Sequence, residues 1–174
     1  MATDLLVTYM NDHLAGSRTA LQLLDDVIKS TSDAEMREFL DGVRADVAED
    51  REVLENLIRR VGGARSVVRD LGGGVAEKLS WLKLSLDDPS NGPLRRLEAL
   101  EILALGIEGK SALWRALAMA APDVPALAGV NFGDLVRRAT EQHARVEARR
   151  IEAARVAFMR PRDVSATSQP VAED

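Results

Sequence analysis

Four stretches of the chain repeat apolar residues every three or four positions, the period of an α-helix that buries one face. In the first, Leu6, Tyr9, Met10, Leu14, Leu21, Leu24 and Ile28 form the stripe; Thr3 stands where a cap is expected and the pattern fades near Lys29 to Thr31. Ser32-Asp33-Ala34-Glu35 then reads as a capping box. It opens a second helix running to about Val61, with Met36, Leu40, Val43, Val47, Leu54 and Leu57 on one face and Gly62-Gly63 as its stop. The short link between the two predicts an antiparallel hairpin.

Residues 62 to 92 are less regular. They contain Gly72-Gly73-Gly74 and a short helical pattern from about Val75 to Leu86, on which Leu79, Leu82 and Leu86 share a face. Asp88-Pro89-Ser90-Asn91-Gly92-Pro93 is a turn cluster, and Pro93 suits the first position of a third helix that runs to about Ala120, before Pro122. Beyond Pro125 and Gly129, Asn131 can cap a fourth helix through Leu135, Ala139, Val146, Ile151, Ala154 and Phe158 to Pro161. Residues 162 to 174 are polar, carry no apolar face and are expected to be disordered, leaving 1–161 as a single domain.

Helices of about 28 residues are roughly 42 Å long, and a simple up-down-up-down bundle needs only a short loop between helices two and three. The long stretch found there instead suggests one crossover along the bundle, with the 75 to 86 helix inside it. A five-helix domain with that segment packed across one end is the alternative.

Composition supports an all-α chain: aromatics are only 3% of the 174 residues, too few for a typical sheet, while hydrophobic residues make up 46%, enough for a core. The formal charge of -5 is spread over interleaved acids and bases, so nucleic acid is not an expected partner. There is no cysteine, which removes disulfides and thiolate chemistry. The apolar run around Leu97 to Ala121 is interrupted by Glu98, Glu101, Glu108, Lys110 and Arg115, so no membrane span is expected; the start Met1-Ala2-Thr3-Asp4 does not read as a signal peptide, and a cytoplasmic location is the default. Bundles with long amphipathic helices commonly pair, which makes a homodimer the expected association.

Ionisable residues interrupt the stripes. His13 falls in the series Leu6, Met10, His13, Ser17, Leu24, and Asp50 falls in Val43, Val47, Asp50, Leu54. On helix three, Glu101 and Glu108 lie with Leu94, Leu97, Leu105 and Ala112; on helix four, His143 lies with Val136, Ala139, Val146 and Ile151. With the crossover topology, His13, Asp46 or Asp50, Glu108 and His143 come to the same height, whereas Glu101 lies roughly 10 Å away along its helix. Two readings remain open: a buried hydrogen-bonded network that fixes one arrangement of the helices, or a metal site of imidazole and carboxylate ligands, with iron, manganese or zinc as the candidate ions.

On these residues the chain resembles the ferritin-like di-iron superfamily, which sets carboxylates and histidines from four helices in one layer, with Glu-x-x-His motifs on two of them. The resemblance covers residues 4 to 160 as architecture and implies a metal layer of His13, Asp46, Asp50, Glu108 and His143. Helix two carries Asp46-Val47-Ala48-Glu49 in place of Glu-x-x-His, helix four carries Glu141-Gln142-His143, and helix one offers His13 where the family uses a carboxylate.

Gly106-Ile107-Glu108-Gly109-Lys110-Ser111 lacks the first glycine of a phosphate loop and sits inside a helical pattern, so it is read as helix. Trp81 and Trp114 read as core or subunit contact. Arg145, Arg149, Arg150 and Arg155, alternating with Glu147 and Glu152, read as an ion-paired face.

Overall fold

The computed structural model describes residues 2–62 and 92–159. The expected short helix at 75 to 86, Trp81 and the tail at 162 to 174 lie outside the described residues. Those described form four long α-helices and no strand: α1 (Ala2–Ser30), α2 (Ala34–Gly62), α3 (Pro93–Ala120) and α4 (Phe132–Phe158), with a 3-10 turn at Pro125–Leu127. No helix among them is long and apolar enough to cross a membrane.

The element boundaries follow local chemistry. Between α1 and α2 the buried Thr31 donates its hydroxyl to the Val27 carbonyl at 2.7 Å, and Arg37 donates to the Thr31 carbonyl at 2.6 Å. Asp33, rather than Ser32, caps α2: its Oδ1 accepts from the backbone N–H of Glu35 (3.0 Å) and Met36 (3.2 Å). Carboxylate and hydroxyl compete for the same orphan donors, and the residue one position closer to the helix reaches them. Thr3 likewise lies within α1, not ahead of it. Pro93 occupies the first turn of α3, where its missing N–H costs nothing. Gly129, at φ +76, takes the left-handed turn that delivers the chain to Asn131, whose Oδ1 accepts from Asp134 N at 3.2 Å to cap α4.

Packing centres on Met10, Leu24, Leu40, Val43, Leu57, Leu100, Leu117 and Val146, all fully buried. Each large apolar side chain contributes roughly 1.5–3 kcal/mol by leaving water, so these stripes dominate the stability of the bundle. Leu127, also fully buried, closes one end, where Arg60 of α2 donates to the Ala128 carbonyl at 2.8 Å.

Ion pairs reveal how the helices run. Glu35, Asp46 and Glu49 of α2 meet Arg149, Arg145 and Arg138 of α4, in descending order, so α2 and α4 are antiparallel. On α3, Glu101 meets Arg150 and Lys110 meets Gln142, so α3 is also antiparallel to α4. Helices α2 and α3 therefore point the same way.

The buried face of α3 differs from the one expected. Leu97, Leu100, Leu103, Ile107, Trp114 and Leu117 face inward, while Leu94, Glu101, Leu105, Glu108 and Ala112 are exposed, Leu105 to 68%. Apolar residues occur almost all round this helix, so hydrophobicity alone does not select a side, and the two glutamates belong to the wetter one. On α4, Ile151 is exposed and Ala153 is buried in its stead.

Candidate functional site

At mid-height of the bundle one carboxylate lies among cations. Asp50 is only 3% exposed, because α2 presents it on the same stripe as Val43, Val47, Leu54 and Leu57. Its Oδ2 accepts from Lys110 Nζ of α3 at 2.5 Å and from Gln142 Nε2 of α4 at 3.1 Å. Arg138 Nη2 lies 3.1 Å from Oδ1 as an ion pair without hydrogen-bond alignment. The Lys110 ammonium also donates to Gln142 Oε1, so three helices share one network. Burial holds the Lys110 pKa below its ordinary value, against the opposing pull of Asp50.

This layer opens onto a cavity of about 300 Å³. Val47, Leu54, Leu103, Ile107, Leu113 and Trp114 supply apolar wall, and Asp12, His13, Arg51, Asp50 and Lys110 supply the polar part. His13 is half-buried, its ring edge-on to Tyr9 with centroids 4.8 Å apart, and burial lowers its pKa despite the neighbouring Asp12. Trp114 is 1% exposed and its indole N–H has no acceptor among the described residues; the buried Arg51 Nε–H has none there either, although the same guanidinium pairs with Glu55 at 2.8 Å.

Of the five expected site residues, His13 and Asp50 share the cavity wall. Asp46 instead pairs with Arg145 at 2.5 Å on the α2–α4 face. Glu108 does not point inward: its side chain is 57% exposed and pairs with Arg115 at 3.0 Å, since it sits on the outer side of α3. His143 is half-buried beside Glu147; the inward position belongs to its neighbour Gln142, fixed by the series Phe132, Leu135, Ala139, Gln142, Val146. Among the described residues no three His, Asp or Glu side chains converge as a group that could hold a metal ion.

Two residues at the heart of the layer, Lys110 and Gln142, were not among the expected ones. A signal for each was present: Lys110 continues the three-and-four spacing of Leu103, Ile107, Trp114 and Leu117, and Gln142 continues that of α4. The arginine-rich face of α4 is ion-paired as expected, and three of its arginines reach acids on other helices: Arg145 to Asp46, Arg149 to Glu35 and Arg150 to Glu101. No protein-family profile matches the chain, and comparison with curated proteins and with solved structures gives no match either.

Proposed function

We propose that this chain is a non-catalytic helical bundle of ferritin-like architecture whose buried polar layer is structural and whose role is binding rather than turnover. The observation that carries this reading is the company Asp50 keeps. Lys110, Arg138 and Gln142 take up the carboxylate where a metal cation would otherwise balance it. A metal would have to displace an ammonium and a guanidinium already paired there, and among the described residues no group of three His, Asp or Glu side chains could hold one. The common direction of α2 and α3, both antiparallel to α4, is the order of helix directions that a ferritin-like bundle has, and it supports that architecture.

Metal analysis tests the reading directly. Protein purified without a histidine tag, after supplementation with manganese, iron and zinc, is expected to hold well below one equivalent of each. One or two equivalents in the wild type, lost on His143→Ala with helicity retained, would restore the metal-site alternative.

A further inference from the structure

The cavity beside the Asp50 layer sets a buried lysine into a mostly apolar wall. Its one deeply buried carboxylate serves Lys110, Arg138 and Gln142 together, and among the described residues Lys110 has no other carboxylate within ion-pair distance. Among the described residues, two further N–H groups of lining residues, Trp114 Nε1 and Arg51 Nε, and one acceptor, Asp50 Oδ1, are buried without a hydrogen-bond partner. Buried donors are rarely left so, because each unmade hydrogen bond costs about 1–3 kcal/mol. The rest of the wall is aliphatic and aromatic. At about 300 Å³ the space is roughly twice that of an engineered cavity that holds benzene (~150 Å³), and it reaches the lower end of the range for small-molecule pockets. Exposed Asp12, Gly16 and Gly106 border it, so it opens to the surface.

We infer that this cavity binds a small apolar monocarboxylate, with its ring or short chain against Val47, Leu54, Leu103 and Trp114 and its carboxylate toward Lys110. A carboxylate gives Lys110 a counter-ion that Asp50, shared with Arg138 and Gln142, provides only in part. An aliphatic or aromatic body of one or two rings fills the remainder. The inference rests on the metal-free reading of the layer.

The test is calorimetric titration of the full chain with 2-naphthoate, and with uncharged 2-acetylnaphthalene as control, in chelator and again with zinc or manganese added. Binding of naphthoate at one site in chelator is expected, with a dissociation constant at or below about 1 mM, and about tenfold tighter than the ketone. Lys110→Met should remove that preference while leaving ketone binding within about twofold. Gly109 borders the cavity and a Cβ there meets no atom within 4 Å, so Gly109→Leu should fill the space and abolish binding of both compounds. Circular dichroism on each variant separates lost binding from lost fold. Absence of naphthoate binding, equal affinity for the two compounds, or unchanged binding in a folded Gly109→Leu would each overturn the ligand proposal and leave the metal-free reading intact. Binding that appears only with added metal would overturn the metal-free reading as well.

Discussion

Asp50 offers the sharpest test of the polar layer, because its removal and that of its partner are not equivalent. Asp50→Ala leaves Lys110, whose side chain is 15% exposed, with the Gln142 carbonyl oxygen as its one side-chain acceptor among the described residues, and it also takes a partner from Arg138. Breaking a buried pair in this way costs about 3–5 kcal/mol. Lys110→Met is milder, since Asp50 keeps Arg138 and Gln142, and about 1–3 kcal/mol is expected. The double variant should recover much of the loss of Asp50→Ala, because an apolar side chain replaces the stranded ammonium. Urea denaturation of all four proteins, assembled as a double-mutant cycle, measures the coupling. The pH dependence has a definite sign. Lys110 titrates lower when folded than when unfolded, so between those two values the unfolded chain binds more protons and stability rises with pH. Without Asp50, which opposes that depression, the window extends to lower pH. Asp50→Ala within 1 kcal/mol of wild type, or a double variant no more stable than Asp50→Ala, would refute the reasoning.

Other substitutions probe other parts of the fold. Gly16, Gly42, Gly106 and Gly109 lie inside helices with no atom within 4 Å of an added Cβ, so each change to Ala should stabilise by about 0.5–1 kcal/mol, read from denaturation midpoints. Asp33→Ala should cost about 1 kcal/mol as a lost cap, whereas Ser32→Ala should be nearly neutral in the same assay. His13 has its pKa lowered by burial, so its protonation opposes folding: that cost is relieved as pH rises toward the unfolded value near 6.5 and is fully present below the folded one. His13→Asn should therefore lose less thermal stability than wild type between pH 7.5 and pH 5, and an unchanged slope would count against burial of the imidazole.

The long helices were legible because α1, α2 and α4 carry one-sided apolar patterns, and Pro93 and Asn131 sit where the structure uses them. The height of the polar layer was legible too: His13, Asp50 and Lys110 share a cavity wall two residues from Glu108, and Gln142 stands next to His143. What failed was direction around the helix axis. On α3, with Leu, Ile and Ala on nearly every side, a stripe through Leu94, Leu105 and Ala112 looked as apolar as the true one, and following it turned Glu108 inward and Lys110 out. On α4 one residue of error is about 100° of rotation, enough to exchange Gln142 for His143. Lysine and glutamine are uncommon in a core, and a network that satisfies them makes them tolerable there.

The ion pairs between α2 and α4 have a consequence for which alignment of the two helices survives. Exposed pairs of this kind each contribute only about 0–1 kcal/mol, and the aliphatic stripes beneath them discriminate little against sliding by a turn. Charges discriminate well. Moving α4 by one turn, about four residues, in one direction would set Arg149, Arg145 and Arg138 opposite Thr31, Gly42 and Ala45; in the other, opposite Phe39, Asp50 and Val53. Arg138 also pairs with Asp50, so the first slip leaves it Asp46 and the second leaves Arg145 Asp50; each slip loses two of the three partners. The arginines thus act as a vernier: each partner lost on slipping costs about 0–1 kcal/mol, a preference for the native alignment that the aliphatic stripes add little to.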